Sequence, residues 1–428
     1  MSTDIVARGI AVAQARSSGT QALVSAVRNN AFFPQPSYRT PANDIATVTV
    51  PAAGAASTIN GAVASAANVP VTNTGKITWL AGTADKDVNL AYYARGAWYT
   101  GSRGRAYASY EFMHTGTQFE CQVLCGDIAA AGANFRVLVN DRIAGSGSVA
   151  GDGGNRLIKV SFPASATRRV RIEMVGGHHR GLNVANTNEV AGTGRNYPLV
   201  TLIGDSFPEG TGATHWDGEG IAMLRMLGCN PANASVGGTG LLNPGSGGRV
   251  NWQDANRLAD LALNGWTDQI TGAAPVPAMG VIMMSLNDSG LASTYWPGSA
   301  SLQEGVNKAL WVLIDHWTSQ RPGRPLAVFG PTAATTNGSL IDLYRIRDAG
   351  QEACGGAAGA NVWFIDRLAP GPILRSGFYS TATDQASIYT LGTSVTPTDP
   401  THPNQAGHNL DTLWMAQQLR RLILTEFA

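Results

Sequence analysis

Three polar residues between positions 196 and 428 have the types and surroundings needed for nucleophilic catalysis. Ser206 follows the apolar run Leu199–Ile203 in the triplet Gly-Asp-Ser, and Asn287 follows the apolar run GVIMMS. His402 lies in the segment TPTDPTHPNQAGH, three residues after Asp399. A histidine can take the proton of a serine hydroxyl while a carboxylate orients the imidazole, and a side-chain amide can donate to a developing oxyanion. These residue types therefore suit a nucleophile, its base and an oxyanion donor.

Each of these short motifs, taken alone, is also common in ordinary turns. Gly-Asp-Ser is a frequent turn composition, and Asp-x-x-His in a Pro-rich loop is more often a surface turn. Asn287 and Asp288 could instead cap the following helix, which is the favoured interpretation of an isolated Asn-Asp pair. His408 competes with His402 as the base, but it falls inside a predicted helix, where packing or capping is the expected role.

The elements of residues 196–428 predict a place where these residues meet. After Tyr197, apolar runs of about six residues alternate with helical periodicity. The runs are PLVTLIG, AMGVIMMS, PLAVFG and NVWFID, and the helical stretches lie around 218–228, 252–263, 301–320 and 404–425. This alternation predicts an α/β domain over residues 196–428, with a parallel sheet and helices on both faces. Ligands bind beyond the carboxyl ends of such strands, where Ser206, Asn287 and the Gly238 that follows NASVG all fall.

This ordered set of motifs resembles the SGNH (GDSL-like) hydrolase family over residues 196–428. The four residues that name the family correspond to Ser206, Gly238, Asn287 and His402. The resemblance implies a flavodoxin-like domain, a catalytic triad completed by Asp399, and an oxyanion hole. The donors of that hole would be the amides of Ser206 and Gly238 and the side chain of Asn287. The resemblance implies no metal and no cofactor.

Two positions depart from the family pattern or leave a choice open. Ser285 stands where the family usually has glycine two residues before the asparagine, and Gly237 could replace Gly238 as the oxyanion donor. No G-x-S-x-G motif surrounds Ser206, which argues against the ordinary α/β-hydrolase fold. The chain also lacks G-x-G-x-x-G and Walker sequences, so no nucleotide cofactor is indicated.

Two further regions precede this domain. Between residues 76 and 195, short runs of alternating character such as FRVLVNDRI and RRVRIEMV are separated by Gly, Asn and Asp. This pattern predicts an all-β, jelly-roll-like sandwich. In residues 1–75, the helical spacing of apolar residues predicts an amphipathic helix over 4–28. An Ala/Thr/Pro-rich linker that acts as a spacer follows it. The helix is a candidate attachment segment, or else a solvated and frayed terminus.

A β-sandwich placed before an SGNH domain resembles the two-domain carbohydrate esterases that remove acetyl groups from polysaccharides. This resemblance implies an acylated polysaccharide as substrate, by analogy. Four aromatic residues in loops after the catalytic motifs could stack on sugar rings or, with equal weight, pack the loops onto the body. They are Trp216, Trp252, Tyr295 and Trp296. The alternatives are a short-chain lipase or thioesterase, and a glycan-binding virion protein without turnover.

The N-terminal helix and spacer, joined to two such domains, also resemble the modular tail proteins of phages and prophages. That resemblance implies a virion-associated enzyme at a bacterial cell surface, assembled as a homo-oligomer such as a trimer. Asp4, Arg8 and Arg16 stand where a Sec signal peptide would be apolar, so none is expected.

Composition and charge exclude several other classes of protein. Charged residues make up 14% of the chain and the formal net charge is +1, without any Lys/Arg-rich run, so no nucleic-acid partner is expected. No apolar stretch approaches the roughly 20 residues of a membrane helix, and a soluble protein is expected. Cys121 and Cys125 lie too far apart along an extended strand to bridge, which predicts free thiols.

Overall fold

The computed structural model describes most of the chain, in segments separated by gaps. The described residues are 20–29, 42–51, 58–59, 107–124, 133–149, 155–175, 178–193, 197–211, 217–246, 249–264, 276–291, 296–332, 340–357, 361–368, 390–391 and 399–427. All structural statements below concern these residues.

Seven strands in the N-terminal part form one antiparallel sheet. They are β1 (Thr47–Thr49), β2 (Tyr107–Leu124), β3 (Ala133–Val139), β4 (Arg142–Val149), β5 (Asn155–Val175), β6 (His178–Asn183) and β7 (Val190–Ala191). The strand order is β4-β3-β5-β2-β6, with β1 added to β5 and β7 added to β2. The structure has an antiparallel sheet where the sequence predicts an all-β domain, and the jelly-roll-like sandwich layout stays a prediction.

The two long strands β2 and β5 let this sheet enclose its own core. They pair along their length, with a register shift between Gly116 and Gln118. β3 pairs with one half of β5 and β1 with the other half, while β7 and β6 pair with different halves of β2. Phe112 and Phe119, on either side of the shift, are fully buried and meet edge to face with ring centroids 5.3 Å apart. Both halves therefore contribute to one apolar cluster.

The prediction that residues 1–75 contain only a helix and a spacer is wrong for the segment around β1. Thr47–Thr49 pairs antiparallel with β5. The carboxylate of Asp44 lies 2.9 Å from Nε of the buried Arg168 side chain. Further along, Thr58 donates to Glu120 through both its backbone N–H and its hydroxyl. This stretch therefore belongs to the antiparallel sheet and is not a spacer.

Five strands in the C-terminal part form a parallel sheet, as the sequence predicts. They are β8 (Leu199–Ile203), β9 (Asn230–Asn233), β10 (Met279–Met283), β11 (Leu326–Phe329) and β12 (Val362–Ile365), in the order β12-β11-β10-β8-β9. The helices of the described ranges are α1 (residues 20–29), α2 (Ser206–Glu209), α3 (Glu219–Met226), α4 (Ala255–Ala262), α5 (Leu302–Gln320), α6 (Leu340–Gly356) and α7 (Gln405–Glu426). Helix α6 is not among the helices predicted from the sequence.

Apolar side chains on both faces of the parallel sheet pack against helices. Ile203 and Ile282 belong to a cluster with residues of α5 and α6, whereas their neighbours Leu202 and Val281 belong to a cluster with residues of α3 and α7. Successive residues of a strand point to opposite faces, so these strands are apolar throughout. The carboxyl ends of β8 and β10 consequently meet at one edge of the sheet, because the two strands are direct parallel neighbours.

Helix α1 packs against the C-terminal domain. Leu23 and Val27 are buried in the same apolar cluster as Met415 and Leu419 of α7. The interpretation of this segment as a solvated, frayed terminus is therefore wrong for residues 20–29. The rest of the predicted helix, and with it most of the candidate attachment segment, lies outside the described residues.

A Leu23→Ala substitution is expected to lower the free energy of unfolding by about 2–4 kcal/mol, because it removes a fully buried side chain and leaves a cavity. Gln21→Ala, on the exposed side of the same helix, is expected to change stability by less than about 0.5 kcal/mol. Urea denaturation followed by circular dichroism measures both. Equal stability of the two variants would contradict the packing of α1 on the C-terminal domain.

Among the described residues, no helix is both long and apolar enough to cross a bilayer. Cys121, Cys229 and Cys354 are free and buried, and Cys125 lies outside the described residues. Burial raises the pKa of the Cys229 and Cys354 thiols to about 12, so these two thiols stay protonated and unreactive.

Candidate active site

Ser206 begins a helix directly after the first strand of the parallel sheet. The Asp205 carboxylate caps α2 by accepting from the N–H of Phe207 at 2.9 Å. Gly204 is required at the turn, because a Cβ there would lie 2.3 Å from Cγ of Pro208. The first amides of a helix have no carbonyl partner within it. The sharp turn thus puts the hydroxyl and the backbone amide of Ser206 at the carboxyl edge of the sheet.

His402 meets Ser206 across 196 residues of sequence. The Nε2 atom of His402 lies 2.8 Å from Oγ of Ser206, within hydrogen-bond distance. His402 belongs to β14 (Asp399–Pro403), which pairs with β13 (Thr390–Leu391) just before α7 begins. When Nε2 carries no proton, the serine hydroxyl donates to it. This is the geometry required for a base that takes the proton of an attacking hydroxyl.

Asp399 lies in the same strand as His402, three residues before it. Its backbone pairs with Leu391, but its side chain lies outside what the structure describes. The role of Asp399 as the orienting carboxylate therefore stays a prediction.

The glycines that follow β9 approach Ser206 closely. A Cβ on Gly237 would lie 3.3 Å from Cβ of Ser206 and 2.6 Å from Oε2 of Glu209, so only glycine fits. The N–H of Gly237 donates to that same Glu209 carboxylate at 2.9 Å. Gly238 has φ +75°, a left-handed conformation that favours glycine. Because Glu209 occupies the Gly237 amide, the choice between the two glycines as oxyanion donor favours Gly238.

Asn287 and Ser285 form hydrogen bonds with the loop after β9 and with Asp205. Nδ2 of Asn287 donates to the carbonyl of Thr239 at 3.1 Å, which leaves the second N–H of the amide for another acceptor. The backbone N–H of Asn287 donates to Oγ of Ser285, whose hydroxyl donates to Asp205 at 2.7 Å. Ser285 thus links Asn287 to the Asp205 carboxylate that caps α2.

Helix capping is the other interpretation of the Asn287–Asp288 pair, and Asp288 does not cap the following helix. Its carboxylate accepts from the backbone N–H groups of Leu241, Leu242 and Asn243 at 2.8–2.9 Å. Asp288 is fully buried, and burial raises the pKa of its carboxyl to about 6 against the hydrogen bonds that lower it. A Cβ on Gly240 would lie 2.4 Å from this carboxylate. Asp288 therefore fixes the loop that follows the Gly237–Gly238 turn.

The structure corrects the prediction for one of the four candidate sugar-stacking aromatics. Trp252 is fully buried and donates through Nε1 to Oγ1 of Thr239 at 2.9 Å, so it packs the loop and cannot face a substrate. Trp296 is partly buried against the apolar cluster of the C-terminal domain. Trp216 and Tyr295 lie outside the described residues.

His408 has a packing role, as expected from its place inside a predicted helix. The imidazole is fully buried in α7, and Nε2 donates to the carbonyl of Thr211 at 2.9 Å. The N–H of Thr211 in turn donates to the carbonyl of Ser206 at 2.9 Å. Burial lowers the pKa of His408 to about 4. The Glu219 carboxylate, 3.7 Å from Nδ1, has a pKa raised by burial and by Asp411.

Between neutral and acidic pH, a His408→Gln variant is expected to lose less free energy of unfolding than the wild type. Because the folded-state pKa is depressed, the histidine contributes stability that is lost as pH falls from about 6.5 towards 4, by on the order of 3 kcal/mol. The glutamine side chain would keep an N–H for the Thr211 carbonyl without titrating. Urea denaturation near pH 7 and near pH 4 measures this, and the stability gap between the two proteins should narrow on acidification. A gap that is independent of pH would contradict the prediction.

Within the described part of the chain, no group of three or more His, Cys, Asp or Glu side chains is arranged to hold a metal ion.

The fold and the site together define an α/β protein with a serine–histidine pair at the carboxyl edge of a parallel sheet, preceded by an antiparallel β-domain. No protein-family model matches the chain, and no curated protein sequence matches it. Solved structures do match.

One is a family two carbohydrate esterase from Cellvibrio japonicus, at 13% sequence identity and a TM-score of 0.54, which covers 88% of this chain and 98% of the esterase. An acetyl xylan esterase from the rumen bacterium Butyrivibrio proteoclasticus matches at 12% identity and a TM-score of 0.51, with the same coverage. An active-site mutant of a family two carbohydrate esterase from Clostridium thermocellum matches at 16% identity and 0.50, over 74% of this chain and 90% of that one. The chain therefore shares the fold of these esterases.

Proposed function

We propose that this chain is a serine esterase that hydrolyses O-acyl esters, with O-acetyl groups on a polysaccharide as its substrates. The observation that carries the proposal is the 2.8 Å contact between Nε2 of His402 and Oγ of Ser206 at the carboxyl edge of the sheet. The fold that the chain shares with carbohydrate esterases supports the choice of substrate class.

In the first half of the reaction, Oγ of Ser206 attacks the ester carbonyl carbon while Nε2 of His402 accepts the hydroxyl proton. The carbonyl electron pair moves to oxygen and forms the tetrahedral oxyanion. When this intermediate collapses, the sugar oxygen leaves with the proton held on His402, and the acyl group stays on Ser206. Asp399 is proposed to orient the imidazole and stabilise its charged form.

In the second half, a water molecule gives a proton to His402 and attacks the acyl-enzyme. The acid is released, and Ser206 recovers its proton from the imidazolium. The proposed oxyanion donors are the amides of Ser206 and Gly238 and the Nδ2 of Asn287, each worth about 3 kcal/mol of barrier. The bond from Asn287 to the Thr239 carbonyl would hold its amide in place for this role.

Substrate profiling of the full chain tests this proposal. Acetylated xylan and acetylated bacterial exopolysaccharides are incubated with the protein, and proton NMR follows the loss of bound acetyl signals and the gain of free acetate. Acetate release supports the proposal, whereas a preference for long-chain acyl esters indicates a lipase. A protein that hydrolyses no aryl acetate, and whose Ser206 is not labelled by a fluorophosphonate, would instead be a glycan-binding protein. Virion association and trimer formation stay predictions from the sequence.

A further inference from the structure

A single peptide unit connects Arg249 with the proposed Gly238 oxyanion donor. Nη1 of Arg249 donates to the carbonyl oxygen of Gly237. That carbonyl and the N–H of Gly238 belong to the same peptide group, which is planar and trans, so the two bonds point in opposite directions. A side chain that fixes the direction of the Gly237 carbonyl therefore fixes the direction of the Gly238 N–H.

The peptide unit between Val236 and Gly237 is also held by a side chain, that of Glu209. The N–H of Gly237 donates to the buried carboxylate of Glu209 in α2, one turn after the nucleophile. Glu209 and Arg249 thus form hydrogen bonds with the peptide groups on either side of Gly237. Two consecutive glycines have more backbone freedom than any other residue pair, so without these contacts the turn could adopt many conformations.

The guanidinium of Arg249 carries a full charge close to this turn. Within the described residues no carboxylate forms an ion pair with the guanidinium, and its Nε is buried with no hydrogen-bond partner there. A cationic donor on a carbonyl polarises the amide and strengthens its N–H as a donor to an anion. The guanidinium lies so close to the turn that a Cβ on Gly238 would be 3.1 Å from Nη1.

We propose that Arg249 is a positioning residue for the oxyanion hole: by holding the Gly237 carbonyl, it aims and polarises the Gly238 N–H towards the tetrahedral intermediate. The proposal rests on the proposed esterase function. Arg249 acts through the Gly237 peptide group and not through the Ser206 hydroxyl, which pairs with His402. Its effect should fall on the transition state, where the negative charge develops, and hardly on substrate binding.

The test compares Arg249→Met with a matched arginine elsewhere in the domain. Arg321 also donates to a backbone carbonyl, that of Ala262, and is also partly buried, but it lies away from Ser206 in the fold. For Arg249→Met we expect kcat on an aryl acetate to fall about 10- to 100-fold, part of the loss known for removal of an oxyanion donor, with KM within about twofold of the wild type. Arg321→Met should keep the wild-type kcat.

A second readout reports on the oxyanion directly. A thionoester develops its charge on sulfur, which accepts hydrogen bonds weakly, so the loss in Arg249→Met should be smaller for the thionoester than for the matching oxygen ester. If Arg249→Met has wild-type kcat, or if only KM rises, the positioning role is overturned. If it does not fold, Arg249→Gln is assayed in the same way and decides by the same criteria. Failure of the esterase function itself is distinguishable, because the wild type would then be inactive.

Discussion

Replacing Ser206 with alanine is expected to lower kcat on an aryl acetate by about 10⁴- to 10⁶-fold. The substitution removes the oxygen that lies 2.8 Å from Nε2 of His402, so no acyl-enzyme can form. The donors proposed for the oxyanion stay in place and account for the small remaining rate. Release of the aryl leaving group, followed by absorbance, measures kcat, and NMR of an acetylated polysaccharide shows whether acetate release is lost in parallel.

A serine nearby serves as the matched control. Ser235 is buried beside Gly204, and its hydroxyl has no hydrogen-bond partner within the described residues. Ser235→Ala should therefore keep kcat within about twofold, since removal of an unpaired hydroxyl leaves the catalytic geometry unchanged. A Ser206→Ala protein that is folded and still hydrolyses the ester at a rate near that of the wild type would exclude Ser206 as the nucleophile.

The parallel sheet and the meeting of Ser206 with His402 could be anticipated from the sequence. Strands buried on both faces are apolar throughout, so runs such as PLVTLIG stand out from the amphipathic helices between them. Parallel strands bring their carboxyl ends to one edge, and a residue after the first strand can then meet one before the last helix. The order of the motifs along the chain therefore predicts the contact between Ser206 and His402, which are far apart in sequence.

The turns around the nucleophile could not be anticipated in the same way. The segment from Gly237 to Arg249 contains many glycines and has no periodicity, so the sequence does not indicate which side chains grip its backbone. Trp252 follows this segment, and it is buried in an apolar cluster and bonded to Thr239 only once the loop has folded. The sequence also does not indicate the role of Glu209. This residue lies three residues after Ser206, in a helix too short to show a periodic pattern.

Helix α6 and strand β1 were missed for different physical reasons. In α6, Leu343, Ile346 and Ala353 recur at helical spacing and are buried, but the glycines within the segment lower its helix propensity. In β1, Thr47–Thr49 is a three-residue edge strand of residues that are exposed or partly buried. Such a strand exists because β5 offers backbone partners for it, and this cannot be read from its own side chains.

Asp288→Ala is expected to have the largest effect on stability, a loss of about 3–6 kcal/mol in the free energy of unfolding. The change leaves three backbone N–H groups, those of Leu241, Leu242 and Asn243, without their acceptor in a buried place. Each buried, unsatisfied donor costs about 1–3 kcal/mol. Because these amides belong to the loop after Gly238, we also expect kcat to fall. Urea denaturation measures the stability, and Asp348→Ala, at a partly exposed ion pair, should cost less than about 1 kcal/mol.

The isosteric variant Asp288→Asn separates the charge from the hydrogen bonds. Its one carbonyl oxygen can still accept from Leu242 and Asn243, but its NH₂ group would face the N–H of Leu241, so an intermediate loss is expected at neutral pH. The wild-type carboxyl binds its proton more tightly in the folded state, with a pKa of about 6. Wild-type stability relative to the asparagine variant should therefore decrease as pH rises from about 4 to about 6. A difference that stays constant across this range would mean that Asp288 is ionised throughout, and that its three amide donors outweigh the cost of its burial.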